Sequence, residues 1–376
     1  MSDPTVSVAM PSYNHEHFVH EAVSSVLAQT FQDFELVVTD DGSSDATADI
    51  VASFGDKRIR LTRFERNRGA GVAGVHGLRR CRGRYIAILS SDDAFVPQKL
   101  DIQVRYLDAH PEVAAVFTWA QIVDELGAPF TDASHPHYSI FDQPNRSRHA
   151  WLHTFFMQGN CLCHPTLMIR ADAYRTLGYY DERFQQLPDL DMWVRLCMRH
   201  EIHVLPERLT CFRVLSDHSN VSSATPEVVA RSMWEYRRIL DHYLGLASQD
   251  LVRVFPDACA GFEVEDADVP YLLARIALDT GAGVRELFGL ETLHALLGSP
   301  VATLLERRFG FTTTEFLRLA RDADPFKVSR VMRLDARVAE LEAEIERLTR
   351  AARRPVRARS RSLLMNVLAS AFRFRR

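Results

Sequence analysis

The segment at residues 34–45 reads FELVVTDDGSSD, an apolar run followed at once by acids, a glycine and serines. A short apolar, β-branched run bounded by turn residues is typical of a buried strand. The Asp, Gly and Ser residues that follow suit a turn and the cap of a helix, which we predict over 46–54. The segment therefore predicts a strand that ends in a polar loop and continues as a helix.

The same alternation recurs on both sides of this segment. Strands alternating with helices predict an α/β fold with a mostly parallel sheet and helices on both of its faces. In such a sheet, ligands bind beyond the carboxyl ends of the strands. We therefore expect the loops at 11–14, 40–45 and 90–93 to surround one crevice. The other predicted strands are 6–10, 59–64 and 85–89, and the other predicted helices are 17–29, 71–80 and 97–110.

The regular alternation ends after residue 113. We predict a strand over 113–123, an irregular loop over 124–148, a strand over 165–169 and a helix over 189–199. Beyond residue 215 the pattern is almost wholly helical. The sequence therefore predicts an α/β domain over 1–215 and a helical module over 216–328.

The C-terminal part has two further patterns. Apolar residues recur at spacings of three and four over 331–348, which predicts a coiled-coil-like helix over 329–352. This helix could pair with a second copy of the chain or pack on its own domain. Residues 353–376 are rich in arginine, contain no acid and surround an apolar run, so they suit an anionic membrane surface.

Composition limits the class of protein. The 376 residues carry a net charge of −4, which gives no reason to expect a nucleic-acid partner. We expect a cytoplasmic protein with at most peripheral membrane contact, because the sequence has neither a signal peptide pattern nor a long apolar run. The six cysteines lack the spacing of a paired zinc site, so we expect reduced and mostly buried thiols.

Two pairs of acids follow predicted strands. Asp92-Asp93 could bind a hard divalent cation that bridges two phosphates, although the pair taken by itself is better explained by a turn and helix cap before Pro97. Asp41 could accept a hydrogen bond from a base N–H, and Tyr13 could stack on the base. The simpler alternative for Asp40-Asp41 is again a capped helix start.

Taken in order, these motifs resemble the family 2 inverting nucleotide-sugar glycosyltransferases of the GT-A fold. No single motif is specific, but the ordered set is, and it covers about residues 5–215. The matching segments are VSVAMPSYN (6–14), SSVLAQTF (24–31), FELVVTDDGSSD (34–45), Asn67 with Gly69, GRYIA (83–87), and Asp92-Asp93 followed by Pro97 and Leu100.

The resemblance implies transfer of a sugar from a nucleotide diphosphate donor to an acceptor hydroxyl. The carboxylate at Asp41 favours UDP as the nucleotide, with dTDP, which presents the same ring edge, and GDP as the alternatives. The acceptor would be a glycan, a lipid-linked molecule or a protein in polysaccharide, glycolipid or glycoprotein synthesis. Pro11, Tyr13 and Asp41 would hold the base. Asp92 would lie by the ribose or phosphate, and Asp93 would bind Mn²⁺ or Mg²⁺.

The resemblance also places a catalytic base in the motif PDLDMWVR at 188–195. Asp189 takes that position, and a helix N-terminus would keep it ionised. Asp191 is better explained as an acid of the first helical turn. His164 and Trp193 could line the acceptor pocket, but a loop histidine and a core tryptophan are the simpler explanations.

The sequence departs from the family pattern at two places. Ser90 stands where the family often has another acid, so metal binding would depend on Asp92 and Asp93. Ala73-Gly74-Val75 stands where many members have Ala-Arg-Asn. A basic contact to the phosphates is therefore either missing or supplied by Arg66 or Arg68.

Two other functions fit parts of the sequence. Gly69, Gly71 and Gly74 match the glycine pattern of NAD(P)- or flavin-dependent oxidoreductases, but they follow the third predicted strand rather than the first. A non-catalytic scaffold with a degenerate transferase fold, recruited to a membrane by its tail, is the third possibility. The joint presence of acids at 41, 92, 93 and 189 favours a transferase over the scaffold.

Overall fold

The computed structural model describes residues 3–133, 137–215, 225–261 and 263–353. Contacts divide the chain into two compact units, Met1–Ala323 and Asp324–Arg376. The first unit contains both the sheet and the helices of 225–323, so the predicted boundary at residue 215 is a change of sequence pattern within one compact unit. The predicted basic tail lies outside the described residues, apart from the backbone of Arg353.

Among the described residues of the first unit, one sheet of eight strands has the order β3-β2-β1-β4-β7-β6-β8-β5. The strands are β1 (Val6–Ser12), β2 (Phe34–Asp40), β3 (Ile59–Arg63), β4 (Tyr85–Ile88), β5 (Ala94–Phe95), β6 (Val113–Val123), β7 (Met168–Arg170) and β8 (Glu201–Arg213).

The sheet is parallel where the sequence alternates most regularly. Strands β3, β2, β1 and β4 are all parallel, and every residue of β2 is buried, as expected for a strand covered on both faces. The second half is mixed. The short β7 runs antiparallel to both β4 and β6, β6 pairs in parallel with β8, and β5 pairs antiparallel with β8.

The helices of the described residues lie between and after these strands. In the first half they are α1 (Val19–Leu27), α2 (Thr47–Ser53), α3 (Ala70–Arg80), α4 (Lys99–Ala109), α5 (His137–Ile140), α6 (Arg148–Gln158), α7 (Ala171–Leu177) and α8 (Pro188–Cys197). After β8 they are α9 (Pro226–Ile239), α10 (Ser248–Val254), α11 (Val269–Asp279), α12 (Gly283–Leu297), α13 (Ala302–Phe309), α14 (Thr313–Asp322) and α15 (Val328–Arg353).

Helices cover both faces of the sheet, as predicted. Successive residues of a strand point to opposite faces, and β1 accordingly sends Val8 and Met10 into one apolar cluster and Ala9 into another. Helices α1 and α4 contribute to the first cluster, whereas α3, α6, α8, α11 and α12 contribute to the second. The second cluster continues from the sheet into the C-terminal helices without a break.

The long strand β8 was not predicted from the sequence. Ile202 and Val204 alternate with half-exposed residues as a strand should, but Pro206-Glu207-Arg208 interrupts the pattern. The pairing of β6 with β8 shifts register at that point, between Thr118 and Trp119. This irregularity explains why the sequence pattern did not predict β8. Helices α6 and α7 and the two-residue strand β5 were also missed.

All six cysteines are free, and four of them are buried. This agrees with the prediction of reduced, mostly buried thiols. In the described ranges, no helix taken alone has the length and apolar content needed to cross a membrane, although the bent pair α12 and α13 reaches that criterion jointly.

A first prediction concerns Gly83, which leads into β4. Its backbone N–H donates to Ser7 Oγ at 2.8 Å, and a Cβ at this position would lie 2.4 Å from the backbone nitrogen of Ser7. We expect Gly83→Ala to lower the free energy of unfolding by about 1–3 kcal/mol, because backbone atoms must move to accommodate the methyl group. Chemical denaturation measures the change.

Gly74→Ala is the matched control. Gly74 lies inside α3, and a Cβ there would meet nothing within 4 Å. Alanine should stabilise this helix by up to about 1 kcal/mol. Equal stability of Gly83→Ala and the parental chain would contradict the close approach of β4 to β1.

Candidate functional site

Hydrogen bonds join the three loops that were expected to surround one crevice. Asn14 Oδ1 accepts from the backbone N–H of Ser44 at 2.9 Å, which ties the loop after β1 to the loop after β2. His15 Nδ1 lies 2.8 Å from Ser91 Oγ, which ties the first loop to the loop after β4. Asn14 adopts the left-handed conformation, with φ of 51°, that asparagine tolerates better than most residues. The loops therefore form one polar edge at the carboxyl ends of β1, β2 and β4.

Asp41 is buried and organises a fourth loop. Its two carboxylate oxygens accept the backbone N–H groups of Arg68 at 2.7 Å and Gly69 at 2.9 Å. Gly42 beside it has φ of 72°, and a Cβ there would lie 2.4 Å from the backbone of Arg66. The glycine pattern at Gly69–Gly74 therefore lies after β3, an edge strand of the sheet. Its first residue belongs to the loop that Asp41 binds at the start of α3.

Tyr13 and Pro11 lie at the end of β1. The Tyr13 ring is 42% exposed and makes no aromatic contact with the described residues. Pro11 is half-buried beside Thr39 of β2. An exposed ring next to the loop of Asp41 leaves a face available for stacking on a base.

Asp92 and Asp93 form a pair of acids with perturbed protonation. Asp93 is buried, and burial followed by the charge of Asp92 raises the pKa of Asp93 well above its usual value. Burial also raises the pKa of Asp92, with His15 and Arg213 acting in the opposite direction. Two adjacent carboxyl groups that disfavour each other's charge become stable as carboxylates when a cation lies beside them.

Arg213, the last residue of β8, holds this loop in place. Its backbone N–H donates to Asp93 Oδ1 at 2.8 Å, and its Nε donates to the carbonyl oxygen of Asp92 at 2.8 Å. The guanidinium is almost completely buried and also pairs with Glu21 at 2.5 Å. Sequence reasoning missed Arg213 because it missed β8.

Asp189 lies in the first turn of α8, as expected, but its protonation differs from the expectation. Its Oδ1 accepts from the backbone N–H of Leu190 at 2.8 Å, and its Oδ2 accepts from Asn160 Nδ2 at 2.6 Å. Burial outweighs these hydrogen bonds and raises the pKa of Asp189 to about 6. The helix N-terminus was expected to keep the acid ionised, whereas loss of hydration shifts the pKa in the opposite direction.

Glu235 connects the C-terminal helices to the segment before Asp189. Both of its carboxylate oxygens accept backbone N–H groups, at 2.8 Å from Gln185, 2.8 Å from Gln186 and 2.7 Å from Leu187. Glu235 is buried within α9, and its negative charge adds to the rise in the pKa of Asp189. A single acid inside a helix gives no sequence signal for such a role.

The buried thiol of Cys163 responds to the charges of both acidic regions. After burial itself, the charges of Asp93 and then Asp189 raise the pKa of Cys163. Asp93 from the end of β4 and Asp189 from α8 are therefore both within electrostatic range of one side chain. Both candidate catalytic regions therefore act on the same buried side chain.

The rings of His164 and Trp193 are in contact, but the two side chains do not line an open acceptor pocket. His164 Nε2 lies 2.9 Å from the hydroxyl oxygen of Tyr180, and burial lowers the pKa of His164 to about 4, so its ring is neutral at pH 7. Trp193 is completely buried against Phe117, with ring centroids 4.8 Å apart. Trp193 is a core residue with no exposed face for an acceptor, which corrects the platform role considered for it.

Asp191 also has a structural role. It is buried, forms an ion pair with Arg195 at 2.8 Å and has its Oδ1 2.7 Å from Nε2 of His242 in the C-terminal helices. Over the described parts of the chain, no cluster of three or more His, Cys, Asp or Glu side chains is arranged to hold a metal ion.

Comparison with known proteins identifies the family. Residues 7–177 match glycosyl transferase family 2. TuaG of Bacillus subtilis (strain 168), a glycosyltransferase named for teichuronic acid biosynthesis, is 36% identical over 240 residues, or 63% of this chain and 88% of TuaG. WfgD of Escherichia coli, a UDP-Glc:α-D-GlcNAc-diphosphoundecaprenol β-1,3-glucosyltransferase, is 46% identical over 107 residues, or 28% of this chain and 42% of WfgD.

The fold agrees with this relationship. The crystal structure of S. aureus TarS 1–349 in complex with UDP matches with a TM-score of 0.52 at 20% identity, covering 76% of this chain and 86% of TarS 1–349. The GT-A fold expected from the motifs is thus confirmed, and the oxidoreductase and scaffold alternatives are not retained. The similarity to TuaG over most of its length, together with the family match, shows that this chain belongs to glycosyl transferase family 2 and is a glycosyltransferase.

Proposed function

We propose that this glycosyltransferase transfers a sugar from a UDP-sugar to an acceptor hydroxyl, with inversion at the anomeric carbon. Asp189 is the catalytic base, and Asp92 and Asp93 hold Mn²⁺ or Mg²⁺ at the donor diphosphate. The observation that supports this most strongly is that the charges of Asp93 and Asp189 both act on the buried thiol of Cys163, which indicates that the two carboxylates lie near one side chain.

The choice of UDP rests on the edge formed by Pro11, Tyr13 and Asp41. Each oxygen of Asp41 already accepts one backbone N–H, and a carboxylate oxygen has a second lone pair that can accept the N–H of a uracil ring. The exposed ring of Tyr13 can stack on the base. The name of WfgD, which specifies UDP-Glc, agrees with this choice.

The Asp92–Asp93 pair fits a divalent cation. Carboxylate oxygens are the ligands that Mg²⁺ and Mn²⁺ prefer, and these ions often use only one or two protein carboxylates plus substrate phosphates. Burial raises the pKa of both acids, and a cation beside them would favour their charged forms. When bound, the cation would neutralise the charge that develops on the departing diphosphate.

Asp189 performs the proton transfer. The acceptor hydroxyl gives its proton to Asp189, its oxygen forms a bond to C1 of the sugar, and the bond from C1 to the diphosphate oxygen breaks, with its electron pair leaving on UDP. Attack from the side opposite the leaving group inverts C1. A base with a pKa of about 6 is mostly ionised at pH 7 and still basic enough to assist.

The acceptor belongs to polysaccharide or lipid-linked glycan assembly. This follows the names of TuaG and WfgD, which specify teichuronic acid biosynthesis and a diphosphoundecaprenol-linked sugar. His164, whose Nε2 lies 2.9 Å from the hydroxyl oxygen of Tyr180, is the candidate neutral hydrogen-bonding group for the acceptor. A peripheral location at the inner face of a membrane, through the arginine-rich tail, fits a lipid-linked acceptor.

Replacing the base should abolish transfer without abolishing donor binding. We expect Asp189→Asn to lower kcat about 10²- to 10⁴-fold, the usual contribution of a general base. Donor affinity, measured by calorimetry with Mn²⁺, should stay within about twofold, or roughly 0.4 kcal/mol. Asp172→Asn is the matched control, because Asp172 is also the second residue of its helix but is not part of the site. Transfer at the parental rate by Asp189→Asn would refute the base assignment.

Activity should depend on pH through the same group. A protonated Asp189 cannot accept a proton, so kcat/KM should fall as the pH drops below about 6, following the raised pKa of Asp189. Glu235→Gln removes a nearby negative charge, which lowers the pKa of Asp189 and should move this decline to lower pH. The rate at neutral pH should also fall, because one amide oxygen replaces two carboxylate oxygens that accept three N–H groups.

Glu201→Gln is the control for the pH profile. Glu201 also accepts a backbone N–H, from Arg148 at 2.8 Å, but it does not act on Asp189. It should leave the pH of the decline unchanged. A Glu235→Gln profile that coincides with the parental profile would contradict the electrostatic link.

Metal dependence has its own test. Asp93→Asn keeps an oxygen that can accept from the N–H of Arg213 but removes the charge. We expect donor affinity in the presence of Mn²⁺ to fall at least about tenfold, or roughly 1.4 kcal/mol. The variant's affinity should then be unchanged by a chelator. Donor binding by the parental chain that is itself indifferent to the chelator would rule out the cation.

A further inference from the structure

In the residues that the structure describes, the second compact unit consists mainly of one long helix with an exposed apolar stripe. Helix α15 spans Val328–Arg353, about 39 Å at 1.5 Å per residue. Six apolar side chains on it are between 46% and 63% exposed: Val331, Leu334, Val338, Leu341, Ile345 and Leu348. Together they form what is called here the α15 seam. A stripe of this kind is costly in water and indicates a partner surface.

The residue types along the α15 seam select one type of partner. The spacing of three and four assigns 331, 338 and 345 to heptad position a, and 334, 341 and 348 to position d. All three a residues are β-branched (Val331, Val338 and Ile345), and all three d residues are leucine. β-Branched residues at a with leucine at d favour a parallel coiled coil of two strands.

The charges beside the α15 seam are complementary in that arrangement. In a parallel pair, the residue at position g of one helix faces position e of the next heptad on the other helix. Arg330 would therefore face Asp335 of the second copy, and Arg337 would face Glu342. Both contacts join opposite charges, and each occurs twice in the pair.

The antiparallel arrangement is disfavoured by the same residues. In an antiparallel pair of α15 helices in which all six seam residues are in contact, position g of one helix faces position g of the other near the centre. Position e faces position e in the same way. Arg337 would then face Arg337 of the second copy, and Glu342 would face Glu342. Like charges at these positions oppose association.

We propose that two copies of this chain associate through the α15 seam as a parallel two-stranded coiled coil. The occupant of the exposed stripe is thus the same stripe of a second copy, rather than its own first unit or a lipid surface. The seam is short, so the pair should dissociate on dilution. This proposal is independent of the donor, the acceptor and the catalytic residues.

Sedimentation velocity of the full-length chain over a concentration series tests the seam. We expect a monomer–dimer equilibrium, and Leu341→Glu should raise the dissociation constant at least about tenfold. Met332→Glu is the matched control, because Met332 is an exposed apolar residue of the same helix at position b, off the seam. It should leave the equilibrium unchanged. A parental chain that is monomeric at every concentration, a trimer, or equal effects of the two variants would overturn the proposal.

A charge exchange tests the orientation. Arg337→Glu alone places two pairs of glutamates face to face in the parallel dimer and should weaken it roughly fivefold, or about 1 kcal/mol. Adding Glu342→Arg restores opposite charges and should return the parental affinity. In an antiparallel dimer, residue 337 faces residue 337 and residue 342 faces residue 342, so like charges still face each other after either change. An Arg337→Glu variant that dimerises with the parental affinity would therefore overturn the parallel arrangement.

Discussion

The buried guanidinium of Arg213 is the contact on which the site depends. A buried positive charge is stable only when its hydrogen bonds are satisfied. Arg213 donates to the carbonyl oxygens of Asp92, Asp124 and Glu125 and pairs with Glu21. It therefore joins the end of β8, the loop after β4, the loop after β6 and helix α1. Its own N–H fixes Asp93, so the position of the acidic pair follows from where β8 ends.

The sequence was most informative where the chain alternates regularly. The strands β1 to β4 and the loops after β1, β2 and β4 were predicted almost to the residue, because each strand is a short apolar run that ends in turn residues. The strand β8 was missed since Pro206 and its charged neighbours break the alternation. Arg213, the last residue of β8, was therefore not predicted either, although it binds the loop that contains Asp92 and Asp93.

Contacts between distant segments explain the remaining differences. Asn160 donates a hydrogen bond to Asp189 from 29 positions away in the sequence, and Glu235 raises the pKa of Asp189 from 46 positions away. The periodicity of apolar residues carries no information on such pairs. The C-terminal helices, whose role the sequence left open, are tied to the first half of the chain in the same way. Tyr236 and Tyr243 donate from that region to carbonyl oxygens of α6. These helices thus complete the environment of the base as well as the core.

The six cysteines have one property in common, which is a thiol pKa above its usual value. Burial raises the pKa of every one of them, to about 12 for Cys81 and about 11 for Cys161, so almost none is a thiolate at neutral pH. Because the thiolate is the form that peroxide and alkylating reagents attack, the native thiols are slow to become sulfenic acids. A cysteine introduced on the surface would consequently outcompete all six for a maleimide probe, which makes the chain suitable for site-specific labelling without first removing its own thiols.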